Sequence, residues 1–146
     1  MGDFSGEEIY AIDAKGRVNI PAKMRRQIQP EGSVTLKLTR GFEKCIYAYP
    51  LEEWKLIKDK LDQLNQFDKK SRYFLRTFYK WVVDVQIDDQ HRIILPKKLM
   101  DFAGIDGKTL IIGQGNHIEF WNEEIYNDYD DSFEESYEDI AAELLV

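Results

Sequence analysis

Ile12-Asp13-Ala14-Lys15-Gly16-Arg17-Val18-Asn19-Ile20-Pro21 returns 75 residues later as Ile87-Asp88-Asp89-Gln90-His91-Arg92-Ile93-Ile94-Leu95-Pro96. Asp, Arg and Pro coincide, and apolar residues hold matching places. The match continues through Ala22-Lys23-Met24 over Lys97-Lys98-Leu99, and Glu31-Gly32 over Asp106-Gly107. After a short deletion, Cys45-Ile46-Tyr47-Ala48-Tyr49 falls over His117-Ile118-Glu119-Phe120-Trp121, and Trp54 over Tyr126. A unit of about 45 residues is too small to bury a good core alone, so two copies in one chain are expected to pack together.

Each copy reads the same way. Ile9 to Ile12 and Val83 to Ile87 are β-branched and apolar enough for strands. The DxxxR segment then reads as a hairpin turn, with Gly16 at its tip because glycine takes a positive φ cheaply. Val18 to Ile20 and Ile93 to Leu95 are the return strands. Pro21 and Pro96 sit where a short helix can begin, since proline is tolerated at the first helical position. Met24 with Ile28, and Leu99 with Ala103, are four apart and predict the buried side of those helices. Glu31-Gly32 and Asp106-Gly107 read as turns. Val34 to Leu38 with Ile46 to Tyr49, and Leu110 to Ile112 with Ile118 to Trp121, complete the strands.

The segment between the copies has a different rhythm. Trp54, Ile57, Leu61 and Leu64 recur at helical spacing. A second helix is expected from Lys69 to Trp81, with Lys69, Arg72, Arg76 and Lys80 on one face and no acid between Asp68 and Asp84. That stripe suits DNA phosphates or a neighbouring subunit, though a solvated helix face is the simpler reading. The organisation expected is a first repeat at 8–54, a helical linker at 55–82, a second repeat at 83–126 and an acidic tail at 127–146.

Charge is divided along the chain. The net value is −7 over 146 residues, but residues 116–146 carry eleven acids and no Lys or Arg. Residues 1–115 hold 16 acids against 20 bases, a net of +4. A basic body with an acidic appendage suits a nucleic-acid partner, or else a solubilising tail on a neutral domain. Hydrophobic residues at 43% and aromatics at 13% allow a packed core. No apolar run approaches the roughly 18 residues of a membrane span. The opening Met1 to Glu8 lacks the basic and apolar regions of a secretory signal, so none is expected. Cys45 is the single cysteine, which excludes an internal disulfide and suits a reducing cytoplasm.

Enzyme chemistry has little support, and neither a cofactor nor a metal is expected. His91 lies near Asp88 and Asp89, but the chain has only two histidines and no HxxxH or CxxC spacing. Gly113-Gln114-Gly115 lacks the third glycine of a dinucleotide loop and falls between strands. Cys45 sits in an apolar strand and reads as core, and no serine has a credible histidine base. Tyr47, Tyr49, Trp54, Phe74, Phe78, Trp81, Phe120 and Trp121 read as core and subunit interface.

Taken together, these motifs resemble the MraZ family. The carriers are Asp13-Ala14-Lys15-Gly16-Arg17 with Val18 to Pro21, and Cys45 to Trp54 (CIYAYPLEEW). Arg72-Tyr73-Phe74-Leu75-Arg76, the Asp88 to Pro96 copy, Leu110 to Gly113 and Ile118 to Trp121 complete them. The resemblance covers roughly residues 4 to 126. It implies a mixed α/β, mainly β chain: a duplicated SpoVT-AbrB swapped-hairpin barrel with short helices and a helical linker. In single-copy relatives two chains exchange hairpins; here one chain carries both copies. The resemblance also implies a cytoplasmic, nucleoid-associated transcription regulator of a bacterial cell-division and cell-wall gene cluster. Such proteins assemble as closed homo-oligomeric rings whose DxxxR faces meet promoter repeats. The second copy departs from the pattern in having His91 where Gly16 stands, so its tip is expected to differ.

Residues 13 to 26 contain five bases and one acid, making Lys15, Arg17, Lys23, Arg25 and Arg26 the leading candidates for double-stranded DNA. Arg92, Lys97 and Lys98 are their counterparts, offset by Asp84, Asp88 and Asp89, and are expected to contribute less. Asp13, Gly16, Asp88 and His91 are expected to shape the turns. Two other classes stand beside a DNA-binding regulator. One is an antitoxin-like DNA-binding protein whose acidic tail holds a partner; two copies per chain argue against it. The other is a protein-interaction scaffold. No membrane or small-molecule substrate is expected.

Overall fold

The first strand of each half pairs with the sheet of the other. In the computed structural model, which describes residues 2–28 and 34–146, the first half holds β1 (Glu7–Ala11), β2 (Arg17–Asn19), α1 (Ala22–Arg25), β3 (Thr35–Arg40) and β4 (Ile46–Pro50). The linker holds α2 (Leu51–Asp62) and α3 (Lys69–Lys80). The second half holds β5 (Val83–Gln86), β6 (Arg92–Ile94), α4 (Lys97–Ala103), β7 (Lys108–Gly113) and β8 (Ile118–Trp121), and the chain closes with α5 (Glu123–Asp131) and α6 (Tyr137–Leu145). β1 runs antiparallel to β7, with Ile9 opposite Leu110. β5 runs antiparallel to β3, with Val85 opposite Leu36. β4 and β8 join the halves at the centre, where Tyr47 faces Glu119.

These ladders form a six-stranded sheet, β1-β7-β8-β4-β3-β5, and a separate ribbon of β2 and β6. Among the described residues the large sheet has two free edges, β1 and β5, so its hydrogen bonding does not close on itself. The expected hairpins also need restating. The DxxxR turns are present, but β1 pairs with β7 and β2 with β6. Each turn therefore carries the chain from one sheet to the other. Pro21 and Pro96 follow the return strands directly and have no N–H to continue a ladder, which keeps the ribbon short.

Alternation sorts the side chains of the large sheet onto two faces. Leu36, Leu38, Ile46, Ala48, Ile111, Ile118 and Phe120 point inward and join Val18, Ile20, Ile93 and Leu95 of the ribbon in one core. Met24 and Ile28 after β2, and Leu99 and Ala103 on α4, close that core as their spacing predicts. The other face carries Tyr47, Tyr49, Leu110 and Trp121, covered by Trp54 of α2. Phe78 of α3 and Tyr126 and Tyr129 of α5 pack against that layer. Cys45 is fully buried there, and burial pushes its thiol pKa far up, which leaves it an inert core group.

Two local expectations shift. Pro21 and Pro96 are extended caps, with ψ 139 and 136, and the helices begin at Ala22 and Lys97. Their carbonyls still accept the first helical N–H groups, from Met24 and Arg25 and from Leu99 and Met100. The Glu31-Gly32 turn lies outside the described residues. The acidic segment is helical: Asn122 Oδ1 accepts Ile125 N–H at 3.0 Å and Ser136 Oγ accepts Asp139 N–H at 3.1 Å. Glu123 and Glu124, then Glu138 and Asp139, fill the first turns, where the helix dipole favours negative charge.

Candidate nucleic-acid interface

Both DxxxR turns are built by one carboxylate each. Asp13 Oδ1 accepts the N–H groups of Lys15 and Arg17 at 3.0 and 2.9 Å, and its Oδ2 accepts Arg17 Nε–H at 2.6 Å. Asp88 repeats the arrangement: Oδ1 accepts the N–H groups of Gln90 and Arg92, each at 2.9 Å, and Oδ2 accepts Arg92 Nε–H at 3.0 Å. The backbone closes both turns alike, since Gly16 N–H donates to Asp13 O at 2.9 Å and His91 N–H to Asp88 O at 3.0 Å. The Arg17 N–H first, then its guanidinium, hold the Asp13 carboxyl below the usual carboxylate range; the Arg92 N–H leads the same shift at Asp88.

The expected difference between the tips is absent from the backbone. Gly16 has φ +82 and His91 φ +64, both left-handed. Histidine pays a steric penalty there that glycine does not, yet the turn it makes is the same. Nor does carboxylate pairing distinguish the arginines. Arg92 is bonded to Asp88 and Arg17 to Asp13 through the same atom, Nε. In each case the Nη groups make no hydrogen bond to a described residue, so the carboxylate orients the guanidinium without consuming its outer donors.

The β2–β6 ribbon brings the two turns together. Arg17 stands opposite Ile94, Val18 opposite Ile93 and Asn19 opposite Arg92. Ile20 N–H donates to His91 O at 3.0 Å and Leu95 N–H to Gly16 O at 2.9 Å, which gives the ribbon a local two-fold relation. Residues directly opposite share a face. Val18 and Ile93, each 1% exposed, face the core, so Arg17, Asn19, Arg92 and Ile94 form the outward face. Sequence inspection missed Asn19 and Ile94 as parts of this surface. Their signal was the alternation Arg17-Val18-Asn19 and Arg92-Ile93-Ile94, in which only the middle residue is core.

The other predicted bases divide into two groups. Lys15, Lys23 and Arg26 are exposed beside the ribbon and at α1. Arg25 Nε–H donates to Ile20 O at 3.0 Å, tying α1 back to the return strand. Lys97 pairs with Asp101 at 3.0 Å, and Lys98 donates to Lys80 O at 3.0 Å with its ammonium over the Trp81 ring. A cleft of about 1030 Å³ opens beside the first turn, lined by Asp13, Lys15, Lys97, Asp101 and Asp106 among others. Its mixed charge gives phosphate no net attraction. No helix among the described residues is long and apolar enough to cross a membrane.

A sequence model of the family described as “MraZ protein, putative antitoxin-like” matches the chain twice, over residues 4–77 and 82–146. Each match spans one copy of the duplicated motif.

Proposed function

The chain belongs to the MraZ family, and we propose that it is a sequence-specific regulator that binds double-stranded DNA through the β2–β6 ribbon. Family membership supports a regulator-type role. The observation that carries the finer reading is the outward face of the ribbon, where two arginines held by identical carboxylate clamps flank Asn19. Arginine can address a guanine edge with two donors, and asparagine an adenine edge. Lys15, Lys23 and Arg26 then meet phosphates on either side, while Arg25, Lys97 and Lys98 add charge from their anchored positions. In this reading the strand exchange is the single-chain form of the SpoVT-AbrB swapped hairpin, and one chain presents both turns as a unit.

Its targets are repeats in its own promoter, within a bacterial cell-division and cell-wall gene cluster, read by a homo-oligomeric ring. The test is a fluorescence-anisotropy titration with duplex DNA from upstream of its own gene, set against a scrambled duplex over a range of salt. Specific binding with a steep salt slope supports the proposal; equal affinity for both duplexes removes sequence reading, and no binding removes the DNA role.

A second reading is an antitoxin-like protein, favoured by the family description and by the exposed acidic segment. In that case a small basic toxin co-purifies with the full chain and is lost when residues 133–146 are deleted.

A further inference from the structure

The final helix has a free apolar stripe. Tyr137, Ile140, Ala141, Leu144 and Leu145 fall at helical spacing on one side of α6, and none is buried; Tyr137 is 83%, Leu144 75% and Leu145 86% exposed. Glu138 and Glu143 border the stripe on either side. Its root is fixed: α5 is anchored by Tyr129, stacked on Trp121 at 5.5 Å, and residues 132–136 link α5 to α6. A matching surface lies on α3. A shallow groove of about 360 Å³ is lined by Gln66, Arg72, Leu75, Arg76 and Tyr79. Arg72 Nη1 donates to Gln66 O at 3.0 Å, which holds that guanidinium at the rim. None of Lys69, Lys70, Arg72, Arg76 or Lys80 enters an ion pair with a described residue. The adjoining face of α3 is committed to the body through Phe78, stacked on Trp54 at 5.9 Å, and Tyr79 at the groove's edge also meets the Trp54 ring edge-on at 6.4 Å.

We infer that α6 of one copy docks in the α3 groove of a second copy of this chain. The apolar stripe would cover Leu75 and Tyr79, and Glu138 and Glu143 would meet Arg72 and Arg76. The pairing follows the general mode in which an amphipathic helix lays its apolar face in a groove rimmed by opposite charge. The apolar floor argues for a helix over nucleic acid, because phosphate has no use for Leu75 and Tyr79. A second copy is the occupant because the chain's own α6 leaves Tyr137, Leu144 and Leu145 in solvent, with Ile140 and Ala141 only half-buried, while the groove stands open. The acidic segment then acts as a clasp between copies, and the basic linker as its receptor. This inference rests on the self-association proposed above.

The test uses two full-length variants, Leu75→Cys and Leu144→Cys, each in a Cys45→Ser background. They are co-expressed, treated with a short bis-maleimide and examined beside native mass spectrometry. Cross-linked dimers joining the two variants are expected. Changing Arg72 and Arg76 to Glu should lower that yield about fivefold, and Glu138→Arg with Glu143→Arg in the partner should restore it. An oligomer without the cross-link overturns the clasp and leaves self-association standing; a monomer overturns both. Cross-linking only within a single chain carrying both cysteines would make the contact internal and overturn the second-copy assignment. Loss of DNA affinity on changing Arg72 and Arg76, with the oligomer intact and no cross-link, would assign the stripe to nucleic acid instead.

Discussion

Arg17 and Arg92 lie on one outward face of the β2–β6 ribbon, diagonal to each other across a ladder in which Arg17 faces Ile94 and Asn19 faces Arg92. Diagonal neighbours of this kind in antiparallel sheets are roughly 7–8 Å apart, within reach of long side chains. Neither half of the duplication owns the surface. The first contributes Arg17 and Asn19, the second Arg92 and Ile94, and the pairing that joins them requires both halves to be folded.

The two arginines are therefore expected to act alike. Arg17→Ala and Arg92→Ala should each weaken specific DNA binding by about 1–3 kcal/mol if each reads a base. Charge in the surrounding sequence favours the first turn, but carboxylate pairing and backbone do not separate the two. Anisotropy titrations on folded, oligomeric variants check this. A difference above about tenfold, or roughly 1.4 kcal/mol, would show that one turn faces DNA and the other does not.

Asp13 and Asp88 make the opposite prediction from simple charge counting. Asp13→Asn raises the net charge by one, which by itself would tighten binding to phosphates. The carboxylate, however, orients Arg17 through Nε and holds two backbone N–H groups. Affinity for the specific duplex should fall, while affinity for a scrambled duplex stays level or rises. A gain on both duplexes would show that the carboxylate has no orienting role.

The same carboxylates set an acid limit on the turns. Both have folded values lowered from 3.8, first by a backbone N–H bond from the motif arginine. A lowered value means the unfolded chain binds more protons on acidification. The stabilisation is thus complete above about pH 4 and lost as pH falls through the lowered values. Carbon-13 titration of the Asp side chains should place Asp13 and Asp88 below the ordinary aspartate value of about 3.9. Midpoints at or above that value would contradict the clamp geometry.

Much of this arrangement is legible in the residues, and the missing part has one cause. The offset of 75 between the DxxxR copies, Gly16 at positive φ, and Met24, Ile28, Leu99 and Ala103 as core all follow from local pattern. Alternation in Ile46-Tyr47-Ala48-Tyr49 separates the two faces of β4. What alternation does not specify is the partner strand: Ile9 packs on a ladder with Leu110, not with its neighbour β2, because pairing is chosen by long-range burial. The cluster on the outer face was missed for another reason. His117, Glu119 and Trp121 share one side of β8, and Glu119 bonds both His117 Nε2 at 2.9 Å and Trp121 Nε1 at 2.8 Å. Composition counts Glu119 among tail acids, whereas its i, i+2 neighbours make it a buried acceptor.

That buried acceptor carries stability. Glu119→Leu would strand the Trp121 indole N–H and one His117 nitrogen in a site less than a tenth exposed. Each unpaired group costs about 1–3 kcal/mol. A loss of at least about 2 kcal/mol in urea unfolding is expected, together with weaker anchoring of α5, whose Tyr126 ring meets Trp121 edge-on at 5.0 Å. An unchanged midpoint would mean that water or rearranged neighbours replace the carboxylate at no cost.

The left-handed residue at the second tip offers a clean gain. His91 has φ +64, a conformation costing an L-residue about 1–2 kcal/mol. Glycine removes that cost but adds about 0.5–1 kcal/mol of chain entropy. His91→Gly should therefore stabilise the protein by about 0.5–1 kcal/mol, seen as a higher Tm. Gly16→Ala should do the reverse, because φ is +82 there and an added Cβ would meet Leu95 O at 3.3 Å. A fall in Tm for His91→Gly would show that the imidazole makes compensating contacts in the assembled protein.

The acidic segment separates into two functional lengths. Residue 127 marks its start by composition but lies inside α5. Tyr129 stacks on Trp121, and its hydroxyl donates to Glu43 Oε2 at 3.4 Å. A chain ending at 126 should lose stability by about 1–3 kcal/mol, through exposure of the Trp121 face. A chain ending at 135 keeps α5 and should escape that loss, with any fall in its urea midpoint confined to concentrations at which the copies associate. That second truncation removes Glu138, Asp139 and Glu143 along with the α6 stripe, so it also lowers negative charge. If the segment takes no part in DNA recognition, intrinsic affinity for a single short duplex should stay equal or rise. Affinity for a duplex carrying several repeats should fall, because loss of the clasp weakens association between copies and with it the multivalent gain. Equal affinity of the full and 135-residue chains for the multi-repeat duplex, with both oligomers the same size, would separate α6 from assembly.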